Sequence, residues 1–79
     1  MIFKEEPRVY RIAIKHHEVY QEIYDFLERT KIHERVEIKT EILMEMTTTY
    51  VIHFKDIKDT FMFDITFADK IKQVYENYG

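Results

Sequence analysis

The chain has 79 residues, which leaves room for one domain and no more. With 46% hydrophobic and 15% aromatic residues but only one Gly and one Pro, the composition excludes disorder and low complexity. The net charge is −3, and the 34% of charged residues are mixed in sign, so neither a basic nucleic-acid stripe nor an acidic nucleic-acid mimic is present.

After Pro7, residues 8–15 alternate with period two: Tyr10, Ile12 and Ile14 on one face, Val9, Arg11, Ala13 and Lys15 on the other. This predicts a half-buried strand. Over 17–29 the period changes. Val19, Ile23, Phe26 and Leu27 fall at helical spacing, Tyr20 and Tyr24 widen the stripe on one side, and Glu18, Gln21, Glu22, Asp25, Glu28 and Arg29 cover the far side. Acidic residues near the start and Arg29 and Lys31 near the end suit the helix dipole. Alternation returns at 35–44 and again at 47–55. Val36, Ile38, Thr40 and Ile42 oppose Glu37, Lys39, Glu41 and Leu43, while Tyr50, Ile52 and Phe54 oppose Thr49, Val51 and His53. These read as two strands joined by a hairpin near Met44-Glu45-Met46, with the β-branched run Thr47-Thr48-Thr49 favouring strand.

The last third supports two readings. Phe61, Phe63, Ile65 and Phe67 alternate as in a strand, after which Ile71, Val74, Tyr75 and Tyr78 form a short helix stripe with Asp69 as N-cap; the order is then βαβββα. Alternatively Asp56 and Asp59, at N-cap and N3, satisfy the free amides of a first turn, residues 57–68 are helical and Ile71 to Tyr75 is a final strand. The order is then βαββαβ, the ferredoxin-like pair of split βαβ units. Helix propensity favours the first, because Thr60, Phe61, Phe63, Ile65, Thr66 and Phe67 are mediocre helix formers.

The stretch Phe54-Lys55-Asp56-Ile57-Lys58-Asp59-Thr60-Phe61-Met62-Phe63-Asp64-Ile65-Thr66-Phe67 resembles a motif of small accessory proteins of large tailed bacteriophages, F-x-D-x-x-D-x-x-x-F-x-[LI]-x-[FW]. The resemblance implies a helix following a strand, and a small, early, phage-encoded protein directed at a host protein. It implies no active site. Together with the length, it favours an α+β domain spanning 1–79: one small antiparallel sheet with helices on one face, in βαββαβ ferredoxin-like order, with βαβββα as the alternative.

The chemistry-bearing residues are few. With no Cys there is no disulfide, zinc ribbon, redox pair or thiol nucleophile, and with no Ser there is no Ser-His-Asp arrangement. Adjacent His16 and His17 lack the i, i+4 spacing of a metal site and read as ordinary helix-start residues; His33 and His53 stand singly. Asp56, Asp59 and Asp64 could hold Mg²⁺ beside a phosphate, but a chain whose one Gly is Gly79 has no phosphate-cradling loop, so capping and turn roles are favoured. Neither a catalytic residue, nor a metal, nor a cofactor is expected.

The remaining signal is aromatic. Tyr10, Tyr20, Tyr24, Tyr50, Tyr75 and Tyr78 exceed what the core obviously needs. Tyrosine is enriched in binding hot spots, though a ring buried with its hydroxyl wet is the ordinary use. Tyr20 and Tyr24 on the helix flank, and Val51 with His53 on the second sheet face, are the candidate partner-binding residues. Leu43 and Val51 beside Ala13 would make that sheet face mildly apolar. The favoured function is a non-enzymatic protein-binding module acting on a host protein. RNA or single-strand binding by the sheet face and a structural homodimer are the alternatives. The start of the chain lacks a signal-peptide core and no apolar run approaches a membrane span, so no membrane partner and a cytoplasmic location, that of the host if phage-encoded, are expected.

Overall fold

A computed structural model describes residues 1–44 and 47–76. The strands are β1 (Ile2–Glu6), β2 (Val9–Ala13), β3 (Val36–Ile42), β4 (Thr48–Phe54) and β5 (Ile71–Gln73); the helices are α1 (His17–Thr30) and α2 (Ile57–Thr66). Together the strands form one five-stranded sheet in the order β3-β4-β2-β1-β5. The β2-to-β5 portion follows the βαββαβ order expected from the sequence, and the fold is α+β of a type compatible with the ferredoxin-like arrangement. The difference lies at the N-terminus: β1 inserts between β2 and β5, antiparallel to β2 and parallel to β5, so the sheet is mixed rather than purely antiparallel. Nothing in the alternation of residues 2–6 announces this strand. It exists because β2 and β5 each offer a row of backbone partners that would otherwise lie at an edge.

Residues 57–66 are helical and Ile71–Gln73 extended, so the rival βαβββα order, with its strand at Phe61–Phe67 and its helix capped by Asp69, does not occur. Asp56 starts α2 by accepting a hydrogen bond from the Lys58 amide at 2.9 Å. Asp59 does not share that capping work; its carboxylate takes a bidentate pair from Arg35, at 2.9 and 3.1 Å, tying α2 to the start of β3. The strand expected over 8–15 stops at Ala13, and Ile14 enters a 3₁₀ turn, where it is exposed instead of sharing the inward face of Tyr10 and Ile12. Helix α1 spans the expected segment and ends on Lys31 in the left-handed region (φ 65°), its amide donating to the Glu28 carbonyl. β3 and β4 pair antiparallel as a hairpin, as expected, with Ile38 opposite Ile52. Its expected turn residues Glu45 and Met46, like Tyr78 of the aromatic set, lie outside the described residues.

Both helices cover one face of the sheet. Ile2, Tyr10, Ile12, Ile52 and Phe54 face Ile23, Phe26 and Leu27 of α1 and Phe63 of α2, with Ile32 and Phe67 closing the ends. Phe63 sits at the centre, its ring 4.6 Å from Tyr10, 5.0 Å from Phe67 and 5.2 Å from Phe54. Phe26 joins the helices by contacts with Phe63 and Phe67.

At the rim of this core the Tyr10 hydroxyl donates to Asp64 Oδ1 at 2.5 Å, and Lys4 Nζ lies 2.6 Å from Oδ2 of the same carboxylate. Burial, and then the adjacent carboxylate that accepts its proton, push the Tyr10 phenol well above its ordinary range. In the unfolded chain the phenol ionises near pH 10. The stability linked to Tyr10 is therefore fully present below about pH 10 and lost as pH rises through and beyond it. Wild-type urea midpoints should fall between about pH 9 and 11 more steeply than those of Tyr10→Phe. Parallel curves would show that the phenol carries no such linkage.

Candidate protein-binding surfaces

The partner-binding residues expected from the sequence fall on opposite sides of the sheet. Tyr20 and Tyr24 lie on the flank of α1 turned away from Phe26 and α2. Tyr20 stacks on Tyr50 of β4 (centroids 3.9 Å apart, 12° between planes), and Tyr24 follows one turn on, 6.3 Å from Tyr20. His17 closes the group, its Nδ1 3.2 Å from the Tyr50 hydroxyl and its ring near Tyr20. Burial first, then the neighbouring Tyr50 and Tyr24, raise the Tyr20 phenol, while the Glu28 carboxylate raises that of Tyr24. Tyr20 and Tyr24 therefore present neutral rings and hydroxyls at neutral pH. Tyr50 and His17 were not singled out as binding positions from the sequence; Tyr50 was placed on an inward strand face, and the stack depends on where α1 crosses β4.

Val51 and His53 lie on the uncovered sheet face. Val51 stands in register with Arg11 on one side and Lys39 on the other, and His53 with Val9 and Glu37. The expected mildly apolar character of this face is interrupted by Arg11, which reaches Glu5 at 2.9 Å, Thr49 at 2.9 Å and Glu41 at 3.5 Å. That network spans β1, β2, β4 and β3 and leaves Val51 half-buried among charged neighbours. His53 contributes to a shallow cavity of about 350 Å³ with Glu6, Pro7, Arg8 and Val9. Among the described residues no group of three His, Asp or Glu side chains converges as a metal-ligand set. His33 is turned to the end of α1, with its Nδ1 3.3 Å from the Leu27 carbonyl.

A third surface was not among the expected ones. Thr60, Phe63 and Phe67 face inward from α2 and its C-terminal end, yet the opposite side of the helix is also apolar: Ile57, Phe61, Met62 and Ile65 are 42, 60, 51 and 79% exposed. Ile57, Phe61 and Ile65 fall at i, i+4 and i+8 and form a stripe along the solvent side, with Met62 beside it. A helix on the surface of a small domain ordinarily turns polar residues, not an apolar row, to the solvent. The signal was present in the sequence, but the period-two alternation of Phe61, Phe63, Ile65 and Phe67 hides it, because the inward and outward rows of α2 overlap in a strand-like pattern.

No family model matches this chain. Among curated proteins and among solved structures, likewise, nothing matches.

The geometry of these surfaces bears on the aromatic and acidic pattern of residues 54–67. Phe54 and Phe63 are buried core residues, Phe67 nearly so, Asp56 caps α2 and Asp59 holds Arg35. Ile65, 79% exposed, is the most exposed of the motif positions. Among the described residues, no helix is long and apolar enough to cross a membrane.

Proposed function

We propose that this chain is a non-enzymatic protein-binding module that docks a host protein on the outer face of α2. The supporting observation is the exposed stripe Ile57, Phe61, Met62 and Ile65 on a helix whose other side already fills the core. A contiguous exposed apolar patch on a small domain is a candidate interaction site, and an aromatic residue at its centre is the usual energetic anchor. Phe61 occupies that place here, flanked by Ile57 and Ile65 at helical spacing. A host protein as the partner, and a phage origin, rest on the resemblance of residues 54–67; a cytoplasmic site of action follows from that reading.

The test is capture from bacterial lysate by the tagged wild-type chain and by Phe61→Glu/Ile65→Glu, followed by titration of the purified captured protein. Both substitutions fall on solvent-facing positions, so the variant should keep the wild-type circular dichroism spectrum and stay within about 0.5 kcal/mol of wild-type stability. One stoichiometric partner bound by wild type and at least about tenfold more weakly by the variant is the expected result. Equal binding by both chains would move the site elsewhere, and repeated absence of any stoichiometric partner would end the reading.

A further inference from the structure

The strand β3 closes the sheet on one side, seven residues long, with an unbroken register to β4 and without proline. The amide of Leu43 donates to the Thr47 carbonyl at 2.9 Å, and that of Lys55 to the Arg35 carbonyl at 3.0 Å. Both are odd-numbered pairs of the same ladder. In an antiparallel ladder hydrogen-bonded and non-bonded pairs alternate. Glu37, Lys39 and Glu41 therefore turn their backbone groups toward β4, and Val36, Ile38, Thr40 and Ile42 turn theirs out of the edge. The same even-numbered residues point their side chains to the helix-covered face. There the cover runs out toward the hairpin, where Ile42 is 70% exposed, and Thr40 stands in register with Tyr50 of the Tyr20 stack. Long edges of this kind are normally blunted by proline, bulges, brevity or charged side chains, and β3 carries only the last, in the row Glu37, Lys39 and Glu41 of alternating sign. The opposite edge, β5, has three residues.

We propose that β3 pairs antiparallel with β3 of a second copy, about a two-fold axis at Thr40. The register is selected by the residues themselves. With the axis at Thr40, the outward-directed backbones of Thr40 and of the Ile38–Ile42 pairs form the hydrogen-bonded positions. Ile38 lies opposite Ile42 of the second copy, covering the most exposed apolar side chain of the strand. On the other face Lys39 lies opposite Glu41 of the second copy, twice by symmetry, at the non-bonded positions where side chains approach most closely. An axis at Lys39 would oppose Lys39 to itself and Glu37 to Glu41, like charge against like. An axis at Ile38 pairs Lys39 with Glu37 but leaves Ile42 outside the paired stretch. The isologous pairing joins the two five-stranded sheets into one continuous sheet. The interface is narrow, so association is expected at roughly micromolar concentration. It uses no outward residue of α2, and stands or falls separately from the host-protein reading.

The experiment is light scattering on the full chain from about 1 to 500 μM, with circular dichroism as a check on folding. The wild-type mass should rise from 9.8 kDa toward twice that value. Lys39→Glu and Glu41→Lys should each weaken self-association by at least about tenfold, because each sets like charges against one another twice. An equimolar mixture of the two variants, and the double variant Lys39→Glu/Glu41→Lys in a single chain, should each restore it, since opposite charges then meet again at both pairs. A wild-type chain that stays at 9.8 kDa throughout overturns the proposal. So does a Glu41→Lys chain that dimerises as tightly as wild type, a failure of the mixture to associate, or a dimer abolished by Phe61→Glu/Ile65→Glu, which would place self-association on α2.

Discussion

Phe63→Ala is expected to destabilise the chain by about 3–5 kcal/mol, while Phe61→Ala, two positions earlier in the same helix, should cost less than about 0.5 kcal/mol. Phe63 is fully buried and touches Tyr10, Phe54, Phe26 and Phe67, so truncation removes its transfer energy and leaves a cavity between two helices and the sheet. Phe61 is 60% exposed on the outer stripe. A domain of 79 residues has a total stability of about 4–12 kcal/mol, so the Phe63 variant should be largely unfolded at a modest urea concentration. The pair of substitutions also discriminates between secondary structures. In a strand, Phe61 and Phe63 would share one face and respond alike; in a helix they stand well apart around the axis and respond oppositely. Urea midpoints of the two variants measure this directly, and comparable losses for both would contradict α2.

The second large effect is expected at Asp64. This carboxylate accepts from the Tyr10 hydroxyl and from Lys4, whose side chain is only 11% exposed, and so joins α2 to β2 and β1. Asp64→Ala leaves an ammonium and a phenol without their acceptor in a place that water reaches poorly. The cost of such an orphaned, charge-assisted arrangement is about 2–4 kcal/mol, and because Asp64 itself is a third exposed, the lower half of that range is expected. Removing the ammonium as well, in Lys4→Met/Asp64→Leu, should recover much of the loss, since paired apolar replacements avoid stranding a charge. The single variant should also fray β1, because Lys4 anchors the centre of that strand to the core rim. Hydrogen exchange at the amides of β1 and β5 reads this out, and unchanged protection there would show that backbone pairing alone holds the inserted strand.

The aromatic and acidic pattern of residues 54–67 takes on a physical meaning through the same residues. Its aromatic and acidic positions build α2: a capping Asp56, a clamp from Asp59 to Arg35, and Phe54, Phe63 and Phe67 in the core. A motif made of structural residues conveys a helix more securely than an activity. The proposed docking function rests on positions around it, Ile57, Phe61 and Met62, and on Ile65 within it.

Much of the molecule was legible because its signals are local. The 3.6-residue stripe of Val19, Ile23, Phe26 and Leu27 has no strand interpretation, and the alternation of Val36–Ile42 and Thr48–Phe54 assigns each side chain to a face before any partner is known. The same periods set Tyr20 and Tyr24 on the flank of α1, and Val51 and His53 on the second sheet face. Their separation onto opposite sides, and the stack with Tyr50, required the packing of α1 across β4. Four features needed more than local pattern. The segment 61–67 satisfies both periods, and the core decides between them: the helix-covered face of the sheet has a place beside α1 that Thr60, Phe63 and Phe67 fill only when they come from a helix. β1 carries little alternation of its own and is a strand because β2 and β5 supply its backbone partners. The free edge of β3 and the outer stripe of α2 are defined by what, among the described residues, does not cover them. Sequence periodicity reports which side chains turn inward together; only the tertiary structure shows which apolar and backbone groups are left over.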